Sequence, residues 1–122
     1  MVHKIDVAQK YQQFNDYWNP RIVGQVNQQE IRIAKIKGAF DWHQHDTTDE
    51  LFLVTQGTLL MDFRDHTETV HTGELIVVPK GIEHRPRTLN DEEVHILMIE
   101  ASGTLNTGNV VSEKTRNTLE HI

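Results

Sequence analysis

The chain reads as an all-β sandwich or barrel carrying a short helical arm at its N-terminus. Three observations predict this. From residue 21 onward, short β-branched or alternating runs recur at roughly the 8–12-residue spacing of a sandwich or barrel. Polar, Gly- or Asn-containing turns separate them. No long helical pattern interrupts the series, which disfavours a parallel α/β sheet. The 122 residues suit one domain over 1–122. It divides into an arm (1–20), a β barrel (21–104) and a polar, turn-rich tail (105–122).

The arm opens with Asp6, which faces Gln9 three residues on, as in a capping box with Asp replacing the usual Ser or Thr. Val7, Tyr11, Phe14 and Trp18 follow at helical spacing, predicting a short amphipathic helix over about 7–16. Asn19-Pro20 ends it. Its aromatic stripe needs apolar cover, from the barrel or from a partner subunit. A lid over a ligand is the alternative use.

The β series begins with Arg21–Val26 and Glu30–Lys37, joined through Asn27-Gln28-Gln29 as a hairpin. Trp42–His45 is the next short strand. Glu50–Thr55 runs through Gln56-Gly57 into Thr58–Phe63. Arg64-Asp65-His66 is a tight turn before Thr67–His71. Leu75–Val78 leads to the breaker Pro79-Lys80-Gly81. Ile82–Arg87 is followed by the turn Leu89-Asn90-Asp91 and by Glu93–Glu100. That makes about nine or ten strands. The tail supplies either an edge strand or a partly ordered end.

Composition removes several function classes. With no cysteine there is no disulfide, thiolate nucleophile or cysteine-held cluster, which fits a reducing, cytoplasmic setting. The formal charge of −6, with Lys and Arg scattered, argues against nucleic acid as a partner. No run approaches a membrane span, and the first residues lack a signal-peptide core. The only serines, Ser102 and Ser112, lie in the tail, and there is no nucleophile elbow. Phosphate-cradling and dinucleotide fingerprints are absent as well.

What remains is a set of four residues, His43, His45, Glu50 and His84, of the types that suit a divalent transition metal. Alternate residues of a strand share a face, so His43 and His45 present two imidazoles side by side. The polar stretch Asp46–Asp49 can turn the chain and start Glu50 on the neighbouring strand, with Phe52 and Val54 on its face. Ile82, His84 and Pro86 share a face on a later strand. If the four converge they form a metal centre; otherwise they are a polar patch at a barrel mouth.

Here the residues resemble a known family. Gly38-x4-His43-x-His45-x4-Glu50-x6-Gly57 and Gly73-x5-Pro79-x-Gly81-x2-His84 are similar to the two signature motifs of the cupin superfamily. The match spans residues 38–84 and nine fixed positions. The short inter-motif stretch, 58–72, is like that of small single-domain cupins, often labelled mannose-6-phosphate isomerase-like. There are two departures. Four residues rather than five separate Gly38 from His43, and Thr88 stands where the family usually has Asn.

The resemblance implies a double-stranded β-helix, or jelly-roll barrel. It also implies metal ligation by His43, His45, Glu50 and His84 to one divalent ion (Fe, Mn, Ni, Zn or Cu). Gly57, Gly73 and Gly81 would be turn residues. A small-molecule ligand would bind inside the barrel, and oxygenase, isomerase or related chemistry occurs on this fold. A non-catalytic sensor or storage module is the alternative. Small relatives commonly form homodimers, which would also cover the apolar arm and the β edges.

Around this set, His95 and then His71 are the further candidates to line the barrel. His3, His66 and His121 read as solvated. Phe40 and Trp42 read as core, Arg85 and Arg87 as pointing away from the metal, and Lys80 and Glu83 as loop-rim charges. A sugar-phosphate site would want a convergent Arg or Lys, and none is identifiable.

Overall fold

Alternation of buried and exposed side chains decides where the strands lie and which face each presents. A computed structural model describes residues 2–122. After α1 (Val7–Tyr11) come β1 (Arg21–Val26), β2 (Gln29–Ile36), β3 (Glu50–Gln56), β4 (Thr58–Phe63), β5 (Thr67–His71), β6 (Leu75–Val78), β7 (His84–Thr88), β8 (Val94–Ala101) and β9 (Glu120–His121). β8 shows the period cleanly. Val94, Ile96, Met98 and Glu100 are buried and the residues between them only partly so. β3 does the same with Glu50, Phe52 and Val54, as its sequence predicts.

Two sheets result, ordered β6-β3-β8-β2-β1-β9 and β5-β4-β7. The sheets are mostly antiparallel and helix is scarce, as in a double-stranded β-helix barrel. The core between them is apolar, built on Ala34, Ile36, Phe52, Leu59, Met61 and Met98 with their neighbours. Among the described residues, no helix is long and apolar enough to cross a membrane.

A second apolar cluster lies on the outside of the larger sheet. Tyr11 and Phe14 of the arm pack there on Val23 and Ile33, with Leu97 beside them. The Tyr11 hydroxyl donates to the Ile96 carbonyl at 2.5 Å, and burial pushes its pKa up to about 12. Lys35 reaches back to the Phe14 carbonyl at 2.6 Å. The arm's apolar stripe is therefore largely spent on its own barrel.

The helix is shorter than its sequence period suggests, five residues rather than about ten. Asp6 caps it by accepting from the Gln9 N–H, as expected. Its C-terminus closes when the Gln12 N–H turns back to the Gln9 carbonyl at 3.0 Å and the Gln13 N–H to the Lys10 carbonyl at 3.1 Å. So short a helix is marginal by itself. Phe14 leaves the helical path to lie on the sheet, where the Arg21 guanidinium covers its ring at 4.3 Å.

Two expected strands also change. Trp42–His45 is extended but makes only one ladder bridge, His43 with His84. The backbone groups of Gln44 are taken by the tail. Gln44 N–H donates to the Asn109 side chain at 3.0 Å, and Asn109 N–H to the Gln44 carbonyl at 3.0 Å. The strand expected at Ile82 starts instead at His84, because the Ile82 N–H closes a turn onto the Pro79 carbonyl. Ile82 is consequently exposed and does not share the His84 face. Gly57, Gly73 and Gly81 have φ of 85°, 86° and 79°, matching their expected turn roles. Thr88, at the family's Asn position, has a job of its own. Its hydroxyl accepts from the Gly38 N–H at 2.8 Å, while its own N–H donates to the Gly38 carbonyl.

The tail is part of this architecture. β9 runs parallel to β1, Asn106 and Thr107 are buried, and Ser112 donates to Asp41. Gly108 has φ +56°, and a Cβ there would collide with the Gln44 carbonyl and stand 3.1 Å from the His43 ring. Only glycine lets the tail lie this close. Gly108→Ala should cost about 2 kcal/mol or more in urea-melt stability, through strain and displacement of the tail. An unchanged melt would contradict this packing.

Candidate metal centre

The ligand candidates are delivered by three different parts of the chain. His43 and His45 come from the extended segment beside β7, Glu50 begins β3, and His84 begins β7. The His43–His84 bridge locks two of them together through backbone bonds of 2.8 and 3.0 Å. The Gly81 N–H donates to the His45 carbonyl at 2.8 Å and ties the second motif to the first. One potential ligand atom from each of the four residues lies within 4.8 Å of the others, and all four side chains are buried.

The hydrogen bonds orient these side chains. His43 Nδ1 lies 2.9 Å from the Asp41 carbonyl, and His84 Nδ1 lies 2.9 Å from the Ile82 carbonyl. A carbonyl only accepts, so each Nδ1 carries the proton and each Nε2 presents a lone pair. His84 Nε2, His45 Nε2 and Glu50 Oε1 are buried with no hydrogen-bond partner. His45 Nε2 stands 3.2 Å and His84 Nε2 3.5 Å from Glu50 Oε1, but neither contact has hydrogen-bond alignment. Leaving several such atoms orphaned in one place is costly. A cation accepting all their lone pairs removes that cost, so the residues fit a metal ion.

Electrostatics agree with that fit. Burial, reinforced by the neighbouring His84, pulls the His43 pKa down from 6.5 to about 4, keeping the imidazole neutral and available. Glu100, opposite Glu50 in the β3–β8 register, is pushed well up by burial and by the Glu50 charge.

Glu100 belongs to a buried network the sequence reading missed. Arg32 donates to Glu100 at 2.9 Å and to Glu30 at 2.7 and 3.1 Å. Ser102 donates to the other Glu30 oxygen at 3.0 Å. With every group ionised, Glu30, Glu50, Glu100 and Arg32 sum to −2, the charge a divalent cation neutralises. Strand parity could have revealed the network. Arg32 shares a face with Ala34 and Ile36, and Glu100 with Ile96 and Met98. Arg32 is the convergent arginine sought from sequence, but both its neighbours are carboxylates, so it is saturated.

The remaining candidates are accounted for. His95 faces outward, stacked on Tyr11 at 4.5 Å and bonded to Glu93, and His71 is exposed. Arg85 and Arg87 point away from the cluster, where Asp62 accepts from both. That pairing, with Thr67, overrides burial and lowers the Asp62 pKa to about 2. Lys80 is exposed, and Glu83 pairs with Arg64. Phe40 is core, edge-on to His43 at 5.2 Å. Trp42 is not core as expected. It is only partly buried, with the Arg64 and Arg85 guanidinium groups 3.8 and 5.1 Å from its ring centre. A Trp beside a half-exposed Arg pair gains cation–π contact there.

A narrow cavity of about 30 Å³ reaches the cluster beside His43 and Glu50. Its wall is apolar apart from those two residues, Glu100 and Asn106.

Comparison with known proteins places this geometry in a family. A crystal structure of a cupin-2 domain-containing protein from Shewanella frigidimarina superposes with a TM-score of 0.77 at 41% identity, covering 80% of this chain and 93% of that one. Protein NMB1881 from Neisseria meningitidis gives 0.74 at 31% identity, covering 82% and 100%. An uncharacterized protein from Bacillus subtilis, YdbB, is 40% identical over 67 residues, 54% of this chain and 59% of its own length. The family model described as "Cupin domain" matches residues 30–100, which include most of β2, all four clustered residues and most of β8. The chain belongs to the cupin domain family.

Proposed function

We propose that His43, His45, Glu50 and His84 hold one divalent transition metal ion, and that the protein acts through it on a small molecule inside the barrel. The observation that carries this is the group of buried, unpartnered His and Glu atoms converging within 4.8 Å. Fe, Mn, Ni, Zn and Cu all suit three imidazoles and a carboxylate. A metal held by these four residues would supply Lewis-acid or redox chemistry. The chain's own contribution is to present neutral imidazoles, exclude water and orient the ligands. Residues 1–122 form one cupin domain in this reading, with 1–20 as arm, 21–104 as barrel and 105–122 as tail.

Oxygenase-type chemistry is better supported than sugar-phosphate isomerisation, because Arg32 is already saturated by Glu30 and Glu100 and offers nothing to a phosphate. The small cavity favours one alternative, a non-catalytic module that binds a metal or small ligand. Oxygen uptake and metabolite turnover by protein loaded in turn with Fe²⁺, Mn²⁺, Ni²⁺ and Zn²⁺ separate the two, since a binding module shows neither. A cytoplasmic location is part of the proposal, supported by the absence of cysteine.

We also propose a homodimer. The arm's stripe is spent on its own barrel, so the surface that supports it is β6, the edge of the larger sheet, with Leu75 and Val77 exposed.

Purified protein should carry one metal ion per chain by elemental analysis. His43→Ala and His84→Ala should each weaken binding about a hundredfold or more, since both remove a ligand and leave the remaining polar atoms unpartnered. Full metal content in either variant overturns the assignment. Light scattering at micromolar concentration should give twice the 14.1 kDa chain mass, and the single mass would refute the dimer.

The pH dependence has a definite sign. Between about 4 and 6.5 the unfolded chain binds the His43 proton and the folded chain does not. Stability of the metal-free protein therefore rises with pH through that window and is lost as pH falls through it. His43→Gln should flatten this slope, by roughly 3 kcal/mol at most across the window. His45, His84 and Glu50 remain in both proteins, so the difference between the two urea-melt series reads His43 together with its coupling to them. Parallel series would contradict the buried neutral imidazole.

A further inference from the structure

One residue in the wall of the cavity beside the cluster is partly exposed, and it comes from the arm. Thirteen residues line the cavity, and twelve of them are buried; Trp18 alone is partly exposed. It is also the member of the wall in a strained backbone conformation. Trp18 has φ +58°, a left-handed geometry that a bulky residue adopts only when its surroundings impose it.

Those surroundings are on hand. The Trp18 backbone N–H donates to the Lys35 carbonyl at 2.9 Å, and its indole N–H to the Lys37 carbonyl at 2.9 Å. The indole stacks on Phe40 with ring centres 4.8 Å apart, and Phe40 in turn stands edge-on to His43. Pro20, buried two residues on, fixes the chain as it leaves. Trp18 is thus a strained residue held by several partners in the wall of a cavity that reaches the ligand cluster.

Another part of the wall is also held by hydrogen bonds. Asn106 lines the cavity from the tail, and its amide donates to the Lys114 carbonyl at 2.9 Å and accepts from the Arg116 N–H at 2.8 Å. The cavity volume, about 30 Å³, takes roughly two water-sized spheres.

We infer that Trp18 is the specificity-determining residue of this cavity and limits exogenous ligands that reach the cluster through it to about two non-hydrogen atoms, the class of dioxygen, nitric oxide or water. This rests on the metal-centre reading. Larger ligands are shut out by the indole, because the twelve buried residues of the wall cannot move aside without unpacking the core.

Two probes of different size test this. Nitric oxide is added to anaerobic Fe²⁺-loaded protein and read by electron paramagnetic resonance. Imidazole is titrated into Co²⁺-loaded protein and read by visible absorption. Wild type should give the iron–nitrosyl signal and little imidazole response. Trp18→Ala should bind imidazole about tenfold or more tightly than wild type, with the nitric oxide signal retained. A merely structural Trp18 predicts instead that metal content and both ligands weaken together.

Equal imidazole affinity in wild type and W18A, or a wild type that rejects nitric oxide, overturns the inference. If W18A does not retain cobalt, Trp18→Leu, which keeps apolar contact with Phe40, carries the same comparison. Failure of both variants to hold cobalt overturns it in favour of a structural role. A wild type that takes up no Co²⁺ or Fe²⁺ overturns the metal-centre reading itself.

Discussion

Unpartnered lone pairs at the inner end of a β barrel are the constraint on which the rest of the structure depends. His45 Nε2, His84 Nε2 and Glu50 Oε1 point at one another from behind an apolar wall, and no donor of the protein reaches them. In such surroundings each orphaned polar atom is expensive, and the cost falls on folding. The backbone accepts it because those atoms are fixed before any ion arrives. Asp41 and Ile82 carbonyls hold the Nδ1 side of two rings, the His43–His84 bridge sets their separation, and the β3–β8 register sets Glu50. Preorganisation of this kind removes the ordering cost from the binding step.

The same constraint explains the second shell of charge. Glu100 faces Glu50 across the sheet and is anchored by Arg32, which Glu30 holds from its other side. A buried carboxylate pair with a single guanidinium is unbalanced, and the raised Glu100 carboxyl is the sign of that imbalance. With Glu30 counted as well and every group ionised, the set sums to −2, which two positive charges at the cluster would neutralise. The terminal segments are then best understood as insulation. The tail lies on Gln44 through Gly108 and Asn109, the arm adds Trp18 to the cavity wall, and together they keep bulk water from the charges.

Much of this was legible in the sequence, and the parts that were not have physical reasons. Inward and outward alternation located β3 and β8 closely, because each buries one face and period two leaves little freedom, while turn residues on either side bounded β4, β5 and β6. The first and second motifs pointed to the four clustered residues. Boundaries failed where the partner of a segment is distant in the chain. Trp42–His45 has the composition of a strand, but its backbone is shared between His84 and Asn109, sixty-odd residues on. Ile82 was misplaced because a turn onto Pro79, invisible to alternation, comes first. The helix was overestimated because Phe14 keeps helical spacing while serving the sheet. Arg32 and Glu100 were passed over because a charge within a strand reads as solvent-facing. Only their shared parity with buried apolar neighbours betrays them.

The central claim is that these atoms are arranged for a cation. An anomalous-scattering map answers it most directly, collected across transition-metal absorption edges from crystals of protein purified without added metal or chelator. The account predicts one dominant peak between His43, His45, Glu50 and His84, within coordination distance of all four. A map with no peak there, or with its only peak elsewhere on the molecule, would contradict it.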